Sequence, residues 1–413
     1  MNDAGQEGGC SADPFGCDPQ GRLSGGGGRA AQARPPSPRF RLRRSLDLFF
    51  AEDGRVFLLH SGMEDLEVTG ATAADRLLLE RLSRGWATAV GLARILEARG
   101  HATDGLEGRL AGLCRDGVAE REPEATGLTT VAAERYDRQL IYFADLTGDT
   151  AGAAAVQERL LGARVLLLGC GGLGCWTASA LALAGIGSLV LVDDDTVELS
   201  NLNRQVLFGE ADLGRPKVEA AREALLANDS RLDVEPVSER IRSATDLERR
   251  LGGVDFVVST ADWPAYELPR WVNAAGLAAG VPYITAGQFP PLIRVGPLTV
   301  PGETACFDCW ETGLRAGFPR YDAVTRQLDQ EPSTAATIGA ASGMAGSVLA
   351  MEVIHHLAGT PPATAGAAWT LDLRTLATTR EEVAANPGCR CGAEPAPGLE
   401  PGTTALQEQR STN

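Results

Sequence analysis

The chain has 413 residues, of which 44% are hydrophobic and 22% charged, and its formal net charge is −16. That length allows two or three domains with a sizeable core. The acidic balance excludes a sequence-independent grip on nucleic acid or on an anionic membrane, because both need a basic face.

No apolar run approaches the roughly 20 residues of a membrane span, and no charged-then-apolar signal opens the chain. A cytoplasmic location is therefore expected, where cysteines are free, catalytic or metal-bound. The odd count of nine cysteines also argues against a pure disulfide framework.

Residues 1–45 are rich in Gly, Pro and Ser, including Gly25 to Gly28, and are expected to form a disordered leader. Residues 46–125 read as a small winged helix. "LFFAEDGRVFLLHSG" predicts a hairpin that turns at Asp53-Gly54. Helices are predicted over 72–82, 87–98 and 106–116, with Gly85 and Gly100 as stops and leucines recurring at helical spacing. Such a fold invites a DNA-binding reading, but residues 47–125 hold nine Arg and no Lys against fifteen acidic residues. An exposed strand edge that accepts an extended peptide suits that charge better.

Residues 130–392 alternate short apolar runs with helical stretches. "ARVLLLG", "SLVLVD", "VDFVVST" and "PYITAG" have strand length. Helices are predicted over 176–184, 217–227 and 265–279. The expected class is α/β, a doubly wound and mostly parallel Rossmann-like sheet behind a small winged-helix domain. Residues 393–413 read as a disordered tail.

The first strand runs into Gly169-Cys170-Gly171-Gly172-Leu173-Gly174. Glycines at these places permit a tight turn and close approach to phosphate at a helix N-terminus. Asp193 closes the next strand, where an acidic side chain can accept hydrogen bonds from ribose hydroxyls. The glycine loop alone fits NAD or FAD as well as ATP. Cys170 and Cys175 read as small buried residues.

The continuation is more specific. "VDDDTVELSNLNRQVLF" followed by "GRPKVEAA" resembles the superfamily of ThiF, MoeB and the ubiquitin-activating enzymes. Its D-x-D stands as Asp193 and Asp195, its N-x-x-R-Q as Asn201, Arg204 and Gln205, and its G-x-x-K as Gly214 to Lys217. The resemblance implies adenylation of a carboxylate by ATP. Two anions must then meet, so cations and a metal have to offset the charge. Arg204 and Lys217 would serve the triphosphate, with Asn201 and Gln205 orienting the ligand. Asp262 would hold magnesium at the carboxyl end of a strand. Tyr136-Asp137-Arg138-Gln139 matches the family's Y-x-R-Q, which implies a homodimer in which Arg138 reaches the partner's ATP.

Cys306 and Cys309 form a C-x-x-C, and Cys389 and Cys391 form a C-x-C where relatives carry a second C-x-x-C. Four thiolates suit a structural zinc site. Between Trp310 and Pro387 there is no cysteine, so the thioester or persulfide relay of ThiF and the ubiquitin-activating enzymes is not expected. A peptide-binding unit in front of an adenylating domain without a transfer cysteine resembles the MccB-like branch, with a recognition element similar to PqqD. That layout implies adenylation of a ribosomally made precursor peptide held by its leader. Two alternatives stand beside it. One is MoeB-like activation of a ubiquitin-like sulfur carrier; the other is a leader-binding scaffold for a YcaO-type cyclodehydratase.

Overall fold

The computed structural model describes residues 37–60, 66–123, 126–330 and 336–394. Most of the expected leader and tail, residues 1–36 and 395–413, lies outside them.

The N-terminal unit contains β1 (Arg39–Leu42), β2 (Leu46–Phe50), β3 (Val56–His60), β4 (Leu66–Val68), α1 (Ala73–Ser83), β5 (Ala87–Thr88), α2 (Ala89–Glu97), α3 (Leu106–Arg115) and β6 (Ala119–Arg121). The hairpin and three helices stand where the sequence puts them. Thr72 and Asp75 cap α1 reciprocally, and Leu78, Leu82, Leu92, Leu96 and Leu110 meet in one core.

The leader boundary needs correction, because residues 39–45 are structured. β1 is the centre of a three-stranded sheet of order β5-β1-β6. Phe40 and Leu42 face the core, while Arg41 stacks 4.2 Å from the Trp86 ring and pairs with Glu120 at 2.8 Å. A strand that alternates Arg with apolar residues is stable only once those partners fold beside it, so its period of two was hidden at the end of a low-complexity stretch. The hairpin strands add β4 to make a second sheet of order β2-β3-β4.

The segment after β1 fastens this unit to the helix Asp137–Thr147. Both terminal nitrogens of Arg44 donate to the Asp137 carboxylate at 2.5 Å. Ser45 donates to Asp145 at 2.7 Å, and Arg43 to the carbonyl of Ala144 at 2.8 Å.

α4 (Thr130–Arg135), α5 (Asp137–Thr147) and α6 (Thr150–Gly162) lead into the main sheet. Its parallel part takes β7 (Arg164–Leu168), α7 (Gly172–Ala184), β8 (Ser188–Val192), α8 (Lys217–Asn228), β9 (Asp233–Val237), α9 (Ala244–Glu248), β10 (Phe256–Ser259), α10 (Glu267–Ala279) and β11 (Tyr283–Phe289). An antiparallel extension comes next, with β12 (Leu292–Thr299), α11 (Phe307–Gly317), α12 (Tyr321–Gln330), α13 (Gly339–Ala358), β13 (Ala367–Asp372) and β14 (Thr378–Glu382).

The order across the sheet is β14-β13-β12-β11-β10-β7-β8-β9. Pairing is parallel from β9 to β11 and antiparallel from β11 to β14. β7 shows why both faces are covered. Val165 and Leu167 join the core under α6, α7 and α13, while Leu166 and Leu168 join the core under α9 and α10. Each such buried side chain contributes about 1.5–3 kcal/mol over exposure. The chain reverses direction across the sheet between β7 and β10, which opens a crevice at their carboxyl ends. No helix among the described residues is long and apolar enough to cross a membrane.

Candidate active site

The glycine loop sits in that crevice. Gly169 has φ +96°, and a Cβ there would lie 2.6 Å from the Ala261 nitrogen. A Cβ on Gly174 would lie 2.0 Å from the Gly169 carbonyl oxygen, so only glycine lets α7 pack against the strand end. Gly171 caps α7 and has open space where a side chain would stand, leaving the helix N-terminal amides facing the cleft.

Asp193 ties the loop to the end of β8. Its Oδ2 accepts from the Cys170 N–H at 2.6 Å and its Oδ1 from the Asp195 N–H at 2.9 Å. An ionised carboxylate has lone pairs left for a ligand. Burial pushes this carboxyl above the usual range, and Lys217 and the two N–H donors draw it part of the way back.

The G-x-x-K turn brings Lys217 to the same place. Gly214 adopts φ +80° and donates to the Val197 carbonyl at 2.9 Å, while the Lys217 N–H donates to the Asp195 carbonyl at 2.9 Å. The lysine is 6% exposed and its ammonium pairs with Asp195 at 2.7 Å. Burial lowers its pKa, but the charges of Asp193 and Asp195 outweigh this and hold it above the usual lysine value.

A single 3₁₀ turn, Leu199–Asn201, orders the next motif. The Asn201 carbonyl accepts from the N–H groups of Arg204 and Gln205, which throws all three side chains toward one side. Asn201 and Gln205 are buried, and Gln205 Oε1 has no partner among the described residues. Arg204 stays at the rim, held by the Ser200 carbonyl at 2.7 Å.

Gly169, Gly171, Gly172, Asp193, Asp195, Asn201, Arg204, Gln205, Lys217 and Asp262 all line one cleft of about 640 Å³. Two expected residues stand apart from it. Gly174 packs beneath the loop, and Arg138 lies exposed near the start of α5. Its motif neighbours are structural: Gln139 donates to Gln157 and to the Ala184 carbonyl, and Tyr136 is buried where a Cβ on Gly185 would strike its ring.

The cleft also holds residues that no motif revealed. Arg240 stacks 4.6 Å from the Trp263 ring. Gln288 donates to Ser342 at 2.9 Å and accepts from Thr337. Neither belongs to a motif, and only the fold makes them neighbours.

A second cavity of about 870 Å³ opens beside the first and shares Ala261, Asp262, Trp263, Ala286, Gly287 and Gln288 with it. Seven aromatic residues stand in its walls, Trp263, Tyr266, Phe289, Phe307, Trp310, Phe318 and Tyr321, with Arg294 among them.

Behind α11 the four expected thiols converge. Cys306 lies 3.5 Å from Cys389 and 4.0 Å from Cys309, and Cys309 lies 3.8 Å from Cys391. All four sulfurs fall within 4.8 Å of one another. Tetrahedral zinc–thiolate bonds of about 2.3 Å require sulfurs roughly 3.8 Å apart, so the donor set fits zinc. The shortened C-x-C delivers both of its thiols, and the Asn386 N–H donates to Cys309 Sγ at 3.3 Å as a supporting contact. Cys170 and Cys175 are buried, and burial pushes the Cys175 thiol up to about 12, which rules out a resting thiolate.

The ThiF family model matches residues 136–391, from the Y-x-R-Q motif to the last thiol. This chain belongs to the ThiF family. Molybdopterin-synthase adenylyltransferase of Escherichia coli K12 is 34% identical over 263 residues, covering 62% of this chain and 96% of that protein. The structure of Escherichia coli MccB with ATP superposes with a TM-score of 0.66 at 24% identity, covering 85% of this chain and 98% of the other. PaaA gives the same TM-score at 25% identity, covering 82% and 98%. As a ThiF-family protein with these motifs in place, the chain is an ATP-dependent adenylyltransferase.

Proposed function

We propose that this adenylyltransferase activates a carboxylate on a ribosomally made precursor peptide whose leader is held by the N-terminal unit. The carrying observation is the sheet β2-β3-β4. β4 pairs only with β3 among the described residues, and Phe49 and Leu59 are exposed on the sheet. An open edge beside apolar side chains suits an added peptide strand. Likeness in fold to MccB and PaaA extends over this unit as well as the catalytic domain, since it covers more of the chain than the family match.

In the reaction, a carboxylate oxygen of the peptide attacks the α-phosphorus of ATP and the bond to the β-phosphate oxygen breaks. Acyl-AMP forms and pyrophosphate leaves. The amides at the start of α7 and the cations Lys217 and Arg204 meet charge on the phosphates, where a lost donor costs about 10²–10³ in rate. Asp193 is placed for the ribose, and Asn201 and Gln205 for orienting polar groups of the ligand. Magnesium suits the exposed carboxylate of Asp262 and the aspartates at 193–195, which offer hard oxygen donors. When bound it supplies further positive charge between the two reacting anions. Arg138, exposed and not among the residues lining its own cleft, is available to a second subunit in a homodimer. Zinc in the four-thiol site is structural. No cysteine lies between Trp310 and Pro387, so the adenylate passes directly to an amine or amide nucleophile.

A second reading is activation of a sulfur-carrier protein, favoured by the 34% identity to molybdopterin-synthase adenylyltransferase. ATP–pyrophosphate exchange decides between them. With precursor-like peptides encoded beside the gene, exchange is expected to fall about 100-fold or more in Lys217→Ala and in Arg204→Ala. Exchange with a carrier ending in Gly-Gly, and with no peptide, would replace the first reading by the second. Tight leader binding with no exchange would leave a scaffold.

A further inference from the structure

The aromatic cavity contains one feature that adenylation of a simple carboxylate does not require. Arg294, on β12, is half-buried in its wall. Its guanidinium lies 5.3 Å from the Trp310 ring and 6.0 Å from the Phe289 ring. Its one hydrogen bond among the described residues is a long one, Nε to Thr370 Oγ1 at 3.4 Å. No carboxylate among the described residues comes within ion-pair distance. Glu381 on β14 attracts it electrostatically without reaching it. Burial lowers the guanidinium below its usual range, yet a guanidinium stays charged in proteins. A desolvated cation with spare donors in an aromatic wall is costly until an anion meets it.

Position says where that anion would come from. Arg294 pairs in register with Gly287 on β11, so the two share one face of the sheet. Gly287 lines both cavities. Arg294 is therefore rooted one strand, about 4.8 Å, beyond the place where the nucleotide cleft and the aromatic cavity join. A substrate that presents one carboxylate to ATP at that junction passes its neighbouring groups along Arg294.

We infer that the acyl substrate carries a second carboxylate beside the activated one, and that Arg294 receives it while the aromatic wall takes a flanking bulky apolar side chain. This rests on the reading of the chain as a peptide adenylase, and it names the chemistry of the segment activated: acidic, next to apolar.

The test uses the full chain and four probes, N-acetyl-Phe-Asp, N-acetyl-Phe-Glu, N-acetyl-Phe-Asn and N-acetyl-Phe-Gln, all with free C-termini. Each keeps one carboxylate, and only the first two have a second. In ATP–pyrophosphate exchange the acidic pair should exceed the amide pair at least about tenfold in kcat/KM, as expected where a built charge partner goes unmet. In Arg294→Gln the preference should shrink to within about threefold, with Arg294→Lys intermediate and ATP affinity unchanged. Intrinsic fluorescence of Trp263 and Trp310 reads cavity occupancy without ATP. Exchange with equal use of acid and amide by the parent protein, or a preference that survives in Arg294→Gln, overturns the inference and leaves peptide adenylation standing. An acid preference in fluorescence that Arg294→Gln abolishes, without exchange, keeps Arg294 as a carboxylate receptor and removes the peptide-adenylase reading. Neither exchange nor fluorescence change with any probe overturns the inference.

Discussion

At the scale of single residues, the site is held together by charges placed where burial opposes them. Asp193 is the clearest case. Its carboxyl sits above the ordinary carboxylate range because burial disfavours the ion. An acid whose folded pKa is raised lends stability below its unfolded pKa and loses it as pH rises through the folded value. At neutral pH its charge is therefore a cost to folding that serves the ligand. Asp193→Asn removes that charge but turns an amide N–H toward one of the two backbone N–H groups the carboxylate accepts from. Its thermal melt at pH 7 should therefore stay close to the parent's, while ATP binds more weakly by calorimetry. The fall in ATP affinity on acidification, which in the parent sets in above the usual carboxylate range, should disappear in the variant. Residues in fixed motifs such as Asp193, Asn201, Arg204 and Lys217 were legible in the sequence because local turns deliver them together. Arg240, Gln288 and Arg294 were not, since Arg240 stands in the loop after β9 and the other two on β11 and β12, outside any motif.

At the scale of elements, legibility followed burial. β7, β8, β10 and β11 are covered on both faces and read as continuous apolar runs. β9, Asp-Val-Glu-Pro-Val, is an edge strand whose alternation is diluted by charge, and β14, Thr-Thr-Arg-Glu-Glu, closes the other edge with almost no apolar signal. β12 is broken in sequence by Gly296-Pro297, which hides eight residues of strand. The join between the two halves of the chain was equally silent, because it is made of single contacts. Asp145 accepts from Ser45 and lies 3.4 Å from both Arg43 and His60, whose ring nitrogens have no hydrogen-bond partner among the described residues. Removing that carboxylate takes the acceptor from Ser45 and the neighbouring charge from Arg43 and His60, although Arg43 keeps its bond to the Ala144 carbonyl. The loss is about 1–3 kcal/mol. Asp145→Ala should melt earlier and be cleaved by protease near residues 43–45 while retaining ATP binding. An unchanged melting point and digestion pattern would show that the join depends on other contacts.

At the scale of the whole molecule, the ThiF fold supplies the ATP chemistry, and on the proposed reading the N-terminal unit and the aromatic cavity select what reaches it. The doubly wound sheet and its switch point could be anticipated from the order of strands and helices, and the antiparallel extension that carries the cavity could not. Metal content is a property of the assembled fold, because the two thiol pairs meet only when the extension is complete. The purified chain should contain one zinc per subunit by elemental analysis, and Cys391→Ser should lose it and melt at lower temperature. Full occupancy in that variant would refute a four-thiol site.

The position of the thiol cluster reaches further than its own geometry. Cys306 and Cys389 are 83 residues apart in the chain, so a metal bridging them would close a long loop. Enclosed in that loop are α11, α12, α13 and the strands β13 and β14. Phe307 and Trp310, which line the cavity, stand directly beside Cys306 and Cys309. The part of the cavity wall inside that loop, Phe307, Trp310, Phe318 and Tyr321, would be held by such a clasp, while the glycine loop, Asp193 and Lys217 lie wholly outside it. Opening the clasp with a chelator or an oxidant should make the enzyme forget its peptide before it loses ATP, an uncoupling that parallel titrations of both ligands would reveal.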